Sequence, residues 1–372
     1  MALQRVDLVV LYCGQGMANV IELYDSSLKV PDVLIICDFG GSQYVKDEVV
    51  DYVMLSLGSM QQANIACTII SHQDEDHWSF LPSLTDRIKR INSVVKIGQV
   101  YKGGELWGCS ASSAVKEFAT LSGSEVRSFT SNETSFGDSN AVPVPIYVYE
   151  SFSMYLILSN LSNVSRGFKN ATSAVVMGVI GGNQAFVLPG DSTVLTMDRV
   201  NEVVTTFKAG SSGWSWPDIK TLSVPHHGSI RTSANNAEQN DLHTITQFAE
   251  VMGAKSVNVS AGWDNQFHHP NINILNVFEP HLSKEWPGHR YTAYVPVKNQ
   301  WETYPSEQDT TDGIYTTVRT FHPCFGAAID FVFEVVQVDG VETVVMTPKQ
   351  FCISAREKPD DLIIAPAPKE LL

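Results

Sequence analysis

The sequence lacks any run of about 18 apolar residues, the length that a membrane-spanning helix needs, so no membrane span is expected. It is also poor in charge, because 17% of its 372 residues are charged whereas 44% are hydrophobic. Disordered chains have the opposite balance, so the bulk of the sequence is predicted to fold around a core. A chain of this length forms one large domain or two small ones.

Positive charge is scarcer than negative charge. The 25 Lys and Arg residues face 40 Asp and Glu residues, a net charge of −15 at pH 7. Such acidity disfavours loose, charge-driven binding to nucleic acid. A nucleic-acid substrate would therefore need a local basic groove or bound metal ions to supply positive charge.

Cysteines occur six times, without the paired spacing of a disulfide framework or a zinc knuckle. Cys13, Cys37 and Cys67 lie in apolar runs and are predicted to be reduced core residues. The first residues lead into a probable strand rather than a signal peptide, so a cytoplasmic location without membrane attachment is expected.

What the sequence does contain is a dense group of potential metal ligands. Residues 71–77, Ser-His-Gln-Asp-Glu-Asp-His, directly follow the apolar run 66–70, which is typical of a buried strand. Their imidazoles and carboxylates suit Zn²⁺, Mn²⁺ or Fe²⁺. A single short loop cannot enclose a metal ion, so further ligands must come from elsewhere. The four candidates in this loop are His72, Asp74, Asp76 and His77.

Two later apolar runs also end in residues of the ligand type. One leads into Gly190-Asp191, and the other leads into His226-His227-Gly228-Ser229. A Gly-Asp pair alone is more often a turn or a helix N-cap. The spacing of the three segments together is typical of a two-metal hydrolase, and strands that alternate with helical patterns predict a layered α/β fold.

The three segments resemble the metallo-β-lactamase superfamily, in particular the soluble hydrolase domain of ComEC-like DNA-uptake proteins, which also has Asp at the position of Asp74. The resemblance covers residues 5–350 and implies an αββα sandwich of two mixed β-sheets with outer helices. It implies one hydrolase domain over 1–352, with rim insertions at 98–145 and 286–310 and a flexible tail at 353–372.

The resemblance also implies roles for individual residues. Asp191 would bridge two divalent ions, Zn²⁺ or Mn²⁺, and Asp38 would support the metal loop without binding metal. One of the two adjacent histidines would be a ligand and the other would contact substrate or orient the ligand; which one is which stays open. The predicted metal ligands are His72, Asp74, Asp76, His77, Asp191, His226 and His227. The predicted catalytic residues are Asp76, Ser229, Asn265 and His269, and the predicted substrate-binding residues are Gln15, Asn170, Ser173 and Ser260.

Three features depart from the ComEC-like pattern. Tyr12 and Met17 flank the Gly14-Gln15-Gly16 turn where relatives have Asp, and Trp78-Ser79-Phe80 replaces a pair of glycines. Between His77 and His226 the sequence contains no histidine, so one metal position is expected to have fewer protein ligands.

The leading functional prediction is a two-metal phosphodiesterase, a nuclease that acts on DNA through a metal-bridging hydroxide. The alternatives are hydrolysis of a small phosphodiester or phosphocholine ester, and a catalytically weak metal-binding effector module. The effector would work with a partner protein, for example in a defence or toxin system. The intact ligand set disfavours it, because charged residues kept together without a function cost stability.

Overall fold

The computed structural model of the protein describes residues 3–91, 94–161, 169–230, 242–262, 267–284, 291–304, 313–317, 328–338 and 341–351. Two large mixed β-sheets form its centre. In the first sheet, strands from β17 to β3 pair antiparallel and strands from β3 to β6 pair parallel. Its spatial order is β17 (Val341–Phe351), β16 (Ala328–Val338), β1 (Arg5–Val10), β2 (Ala18–Tyr24), β3 (Val33–Phe39), β4 (Asn64–Ile70), β5 (Lys96–Lys102) and β6 (Val126–Ser128).

The second sheet repeats this mixed arrangement with seven strands. Strands from β15 to β10 pair parallel and strands from β10 to β7 pair antiparallel. The order is β15 (Ile314–Thr316), β12 (Val257–Val259), β11 (Asp218–Ser223), β10 (Gln184–Leu188), β9 (Val175–Ile180), β8 (Phe152–Leu158) and β7 (Tyr147–Tyr149). A separate hairpin consists of β13 (Tyr291–Val295) and β14 (Gln300–Tyr304).

Helices cover the outer face of each sheet. The first sheet packs against α1 (Lys46–Ser59), α2 (Leu81–Arg90) and α3 (Cys109–Thr120). The second sheet packs against α4 (Val194–Ala209), α5 (His243–Met252) and α6 (Ile272–Phe278). Helix α2 illustrates the amphipathic pattern, because Leu81, Leu84 and Ile88 are buried on one face. No helix among the described residues is long and apolar enough to cross a bilayer.

The core has three parts, one between the sheets and one beneath each layer of helices. Strand β1 shows how period-two alternation produces this division. Val6 and Leu8 point between the two sheets, whereas Val9 belongs to the core under the first helical layer. The predicted αββα sandwich with two mixed sheets is therefore confirmed.

Residues 98–145 differ from the predicted rim insertion. This segment contains the end of β5, helix α3 and strand β6, which extend the first sheet and its helical layer. Val115 and Phe118 of α3 are fully buried in the core. The Ser- and Gly-rich sequence of this segment did not predict these elements, which the structure places inside the sandwich.

The second predicted insertion, 286–310, is described only over residues 291–304. These residues form the β13–β14 hairpin, which packs Tyr291 and Ala293 against the core under the second helical layer. The backbone N–H of Tyr294 donates to the carbonyl of Pro270 at 2.8 Å, so the hairpin contacts the loop that carries His269. The predicted tail, 353–372, lies outside the described residues.

Candidate metal centre

The predicted ligand residues lie at one edge of the sandwich. The loop 71–77 follows β4, Gly190-Asp191 follows β10, and His226-His227 follows β11. Because β4 runs parallel to its neighbours in one sheet and β11 to its neighbours in the other, these loops leave from carboxyl ends of strands. In open α/β sheets such ends are where ligands bind.

The turn after β11 brings two adjacent side chains to the same place. His226 and His227 have φ angles of 48° and 54°, a left-handed conformation that is uncommon outside glycine. In an extended strand, neighbouring side chains point to opposite faces, but here both rings face Asp191. Strained backbone of this kind occurs at functional sites and costs about 1–3 kcal/mol per residue.

One group of ligand-type atoms surrounds Oδ1 of Asp191. This oxygen lies 3.1 Å from Nε2 of His77 and 3.4 Å from Nε2 of His227. Asp76 completes the group, since its Oδ2 lies 3.6 Å from Nε2 of His227. One ligand atom from each of these four residues lies within 4.8 Å of all the others.

A second group faces the other oxygen, Oδ2, of Asp191. Nε2 of His72 lies 3.7 Å from it and Nε2 of His226 lies 3.5 Å from it. Asp74 stands at the outer side, with its Oδ2 3.8 Å from Nε2 of His72 and its side chain 38% exposed. Asp191 thus lies between two groups of ligand-type atoms, and its role as a carboxylate that bridges two metal ions stays a prediction.

The inner ring nitrogens of two histidines are already engaged. Nδ1 of His77 lies 3.0 Å from the Asp38 carboxylate, and Nδ1 of His227 lies 2.8 Å from the carbonyl of Ser260. Both partners only accept hydrogen bonds, so Nδ1 of each ring carries the proton. In the neutral ring the lone pair of Nε2 then faces the carboxylates of the centre.

A lone pair that faces a carboxylate is repulsive unless a proton or a metal ion lies between them. Nε2 of His72, His77 and His227, together with Oδ1 of Asp191, are buried and have no hydrogen-bond partner among the described residues. Buried polar groups are otherwise nearly always paired. Imidazole and carboxylate donors in this arrangement fit a divalent metal ion.

The neighbouring imidazoles keep the Asp191 carboxylate ionised. Burial would raise the pKa of Asp191, but the neighbouring imidazoles of His226, His77 and His227 hold it well below its usual range. Burial also opposes charge on His77, yet the carboxylates of Asp191, Asp38 and Asp76 raise its pKa well above normal. Burial and the adjacent His77 lower the pKa of His72 to about 4, which leaves a neutral imidazole.

Asp38 contacts the metal loop at two points, and its role as a support that does not bind metal stays a prediction. Its Oδ1 accepts the backbone N–H of Ser71 at 2.6 Å while its Oδ2 faces His77. Sequence reasoning missed Ser71, whose Oγ lies 3.1 Å from Nδ1 of His72 and 3.3 Å from Nδ1 of His77. Its position between an apolar strand and the first ligand was the available signal.

Two predicted substrate-binding serines make contacts with the protein itself. Oγ of Ser173 accepts the backbone N–H of Asp191 at 3.2 Å, and Oγ of Ser260 donates to the carbonyl of Gly16 at 2.9 Å. Both side chains are buried, so these contacts position loops. Direct substrate binding by Ser173 or Ser260 stays a prediction.

Other predicted residues lie around the centre. Asn170 is half-buried, with Nδ2 3.3 Å from Oδ2 of Asp191. The ring centroid of His269 lies 5.9 Å from that of His226 and 6.1 Å from that of His227. Ser229 is buried beside this turn, and its backbone N–H donates to the carbonyl of His226 at 2.8 Å.

Gln15 is half-buried, and its backbone N–H donates to Oγ of Ser42 at 2.9 Å. Asn265 lies outside the described residues.

Bulky residues replace the glycines expected after His77, and they fasten the metal loop. Nε1 of Trp78 donates to the carbonyl of Gln73 at 3.0 Å, and Phe80 packs edge-on against Phe39 in the core. On the other side of the loop Gly16 must be glycine, because a Cβ there would lie 2.8 Å from the carbonyl of Asp76. The loop is therefore held from both sides.

No family model and no curated protein matches the chain. Among solved structures the chain is similar to the metallo-beta-lactamase fold protein YhfI from Bacillus subtilis. The two share 11% sequence identity at a TM-score of 0.41, over 75% of this chain and 94% of that chain. The resemblance to the ComEC-like branch stays a prediction.

Proposed function

We propose that the protein is a metal-dependent hydrolase that uses two divalent ions to cleave phosphodiesters, with DNA as the leading substrate. One observation carries the proposal: each carboxylate oxygen of Asp191 faces a separate group of buried or half-buried ligand-type atoms. A carboxylate that bridges two cations in this way is a characteristic of two-metal hydrolases.

The donor atoms favour Zn²⁺ or Mn²⁺. The groups at Oδ1 and at Oδ2 of Asp191 each add two imidazoles and one carboxylate, which is Asp76 in the first group and Asp74 in the second. Zn²⁺ accepts imidazole and carboxylate, and carboxylate-rich sites also suit Mn²⁺. When bound, the ions would neutralise charge on the scissile phosphate and lower the pKa of the attacking water.

Side chains and backbone around the centre would position the ligand rings and the substrate. Asp38 and the Ser260 carbonyl hold the rings of His77 and His227 in the tautomer that presents Nε2 to the centre. Burial and the neighbouring imidazoles lower the pKa of His269 to about 3, so this ring is neutral at physiological pH. A neutral imidazole beside the centre can donate a hydrogen bond to a phosphate oxygen.

DNA is favoured by the resemblance of the ligand segments to ComEC-like hydrolase domains. A small phosphodiester or phosphocholine ester is the second candidate, and the net charge of −15 favours it. Affinity for a polynucleotide depends on cationic side chains that displace counterions, and an acidic chain has few to offer. A small substrate needs only the metal centre and a few polar contacts.

The test begins with metal-stripped protein, to which Mn²⁺ or Zn²⁺ is restored, incubated with linear and circular DNA and with bis(p-nitrophenyl) phosphate. Asp191→Asn is the negative variant. Glu75→Gln is its matched control, because Glu75 is an exposed carboxylate in the metal loop. Cleavage of DNA by the wild type and Glu75→Gln alone supports a nuclease. Cleavage of only the small diester moves the assignment to the second candidate, and no cleavage with metal bound overturns hydrolysis in favour of a partner-dependent effector.

A further inference from the structure

A cavity lies at the end of the sandwich away from the metal loop. Its volume is about 550 Å³, which is within the roughly 300–1,000 Å³ of small-molecule sites in proteins. Asn64 and Lys96 line it from the first residues of β4 and β5, which are parallel neighbours. The metal loop begins directly after the other end of β4, so roughly 20 Å of strand separates that loop from the cavity.

The layer between the two sheets is not filled at this end. Further along β4 and β5, apolar or aromatic side chains fill the layer, among them Cys67, Ile69 and Tyr101. Nearer the amino ends, Gly98 has no side chain, and a Cβ there would lie 2.1 Å from the carbonyl oxygen of Ala66. Part of the cavity wall is therefore bare backbone, which leaves room for a ligand.

Two tyrosines of β7 form the wall that the second sheet contributes. Tyr147 and Tyr149 are two residues apart, so their side chains lie on the same face of the strand and pack toward the layer between the sheets. Val148, between them, is 55% exposed on the opposite face. The hydroxyl of Tyr149 donates to Asp25, which holds this ring in place. Both rings are half-buried and offer an aromatic surface on which a planar ligand can stack.

Amide side chains give the cavity an unmatched hydrogen-bond acceptor and a donor. Oδ1 of Asn64 is buried and has no hydrogen-bond partner among the described residues. Buried polar atoms are otherwise nearly always paired. Oε1 of Gln99 accepts from the hydroxyl of Tyr101 at 2.9 Å, so its Nε2 remains as a donor. A ligand with both a donor and an acceptor on its edge would match these two amides.

The charges of the cavity wall cancel. Among the described residues that line the cavity, the charged ones are Lys96 and Glu125, which are both exposed. A phosphate group would be attracted by Lys96 and repelled by Glu125. Burial raises the pKa of the Tyr147 hydroxyl, so this ring stays neutral. The cavity therefore favours a neutral ligand over an anionic one.

We propose that this cavity binds a neutral nucleobase or nucleoside. The planar base would stack on the tyrosine rings of β7, and the donor and acceptor groups of its edge would pair with Asn64 and Gln99. An aliphatic ligand would use neither the rings nor the amides. The site goes beyond the proposed function, because binding there needs neither metal ions nor cleavage.

The first test is calorimetric titration of the metal-stripped protein with four nucleosides, adenosine, guanosine, cytidine and uridine. Their free bases and their monophosphates are titrated in parallel. We expect at least one base or nucleoside to bind, and its monophosphate to bind no more tightly. Equal affinity for a base and its nucleoside would assign recognition to the base alone. Absence of binding by every base and nucleoside, or tighter binding of the monophosphate, would overturn the proposal.

Variants of β7 test the stacking. Base stacking on an aromatic ring is worth roughly 5–150-fold in affinity, so Tyr147→Ala or Tyr149→Ala should weaken binding by a factor in that range. Tyr147→Phe keeps the ring and should keep the affinity. Val148→Ala is the matched control, because its side chain lies on the opposite face of the same strand. Wild-type affinity in both Tyr→Ala variants would contradict the proposal.

Chemical-shift mapping on the wild-type protein locates the bound molecule without any substitution. When a nucleoside is added to the metal-stripped protein, the amide signals of Gly98 and Gln99 should move, whereas those of His72 and Asp191 should not. Shifts confined to the metal loops would overturn the cavity as the site. Failure of the phosphodiesterase assay has no bearing on this result, so the two proposals stand or fall separately.

Discussion

Two groups of buried carboxylates lie in the same sandwich and have opposite needs. One is the metal centre. The other, which we call the acid network, consists of Asp7, Glu22 and Asp330, all at least 96% buried on the outer face of the first sheet under α1. Both groups place like charges close together away from water, which is costly unless the charges are paired.

The acid network is nearly complete in itself. Both oxygens of Asp7 accept from the guanidinium of Arg5. Glu22 accepts from the hydroxyls of Tyr24 at 2.6 Å, Ser56 at 2.7 Å and Tyr52 at 3.2 Å, and α1 supplies the last two. The exception is Oδ1 of Asp330, which is buried without a hydrogen-bond partner among the described residues.

In the metal centre, by contrast, several buried polar atoms have no hydrogen-bond partner among the described residues. Its carboxylates face imidazole nitrogens whose opposite ring atoms are already engaged, so that in the neutral rings one hydrogen-bond acceptor faces another. In the acid network burial, which the Arg5 contact only partly offsets, raises the pKa of Asp7 to about 6. In the metal centre the neighbouring imidazoles outweigh burial and lower the pKa of Asp191 and Asp76. In the acid network hydrogen-bond donors surround the carboxylates, which makes a structural cluster. In the metal centre hydrogen-bond acceptors surround them, which makes a candidate cation site.

Removal of the bridging carboxylate should have the largest effect. Asp191→Asn is expected to lower kcat/KM for the phosphodiester substrate by at least about 10³–10⁴-fold, roughly 4–5.5 kcal/mol, because both ions lose a shared ligand. Glu75→Gln, with its exposed side chain in the same loop, should stay within twofold of wild type, about 0.4 kcal/mol. Equal losses in both variants would mean that charge in the loop matters and that bridging does not.

The acid network should be broken by removal of its cation. Arg5→Met leaves Asp7 buried without its partner and should lower the free energy of unfolding by about 3–5 kcal/mol, measured by urea titration at pH 7. The loss should shrink near pH 4, where Asp7 can bind a proton. Arg87→Met is the matched control, since Arg87 pairs with exposed Asp51 and should change stability by less than about 1 kcal/mol. A small loss at Arg5 would show that Asp7 is not held by this pair.

Metal should stabilise one group and not the other. At a free concentration one hundred times Kd, Zn²⁺ or Mn²⁺ should add about 2.7 kcal/mol to the free energy of unfolding of the stripped protein. Arg5→Met should retain this increment in full, because the acid network lies apart from the ligand loops, whereas Asp191→Asn should lose most of it. Chemical denaturation with and without metal measures both. An undiminished increment in Asp191→Asn would place the ion elsewhere.

The sequence predicted the metal centre better than the acid network for a physical reason. Each ligand segment directly follows an apolar strand, so the local pattern together with the family resemblance placed Asp76, Asp191 and the His226-His227 pair at the ends of strands. The acid network depends on register instead: Asp7 lies opposite Glu22 across β1 and β2, and Asp330 lies opposite Val9 across β16 and β1. No short-range pattern reports a pairing between residues more than 300 positions apart.

The roles within the metal centre were also beyond local reasoning. Nδ1 of His226 contacts Asn170 and Nδ1 of His227 contacts the Ser260 carbonyl, and both partners reach the turn from distant parts of the chain. The structure of residues 98–145 differs from the predicted rim insertion because α3 is rich in Ser and Ala, which leaves a weak apolar pattern over a helix that buries one face.

The smallest expected effect is a pH-dependent gain in stability from Asp330→Asn. Burial and the nearby Asp7 raise the pKa of Asp330 well above its ordinary value of 3.8, with Glu22 adding to the effect and Arg5 and Lys349 opposing it. A raised pKa means that the folded state binds the proton more tightly than the unfolded state. The stability from that proton is fully present below about pH 4 and is lost as pH rises toward the folded pKa.

Asparagine removes the charge but keeps the shape, so the variant should match wild type near pH 4. It should exceed wild type by about 1–2 kcal/mol at pH 8, in urea titrations at intervals between these limits. Asp51→Asn, at an exposed carboxylate, should show no such divergence. Parallel curves for Asp330→Asn and wild type would mean that Asp330 is ionised in the fold. The acid network would then need a cation at Asp330, as the metal centre does, and the two groups would no longer differ in this respect.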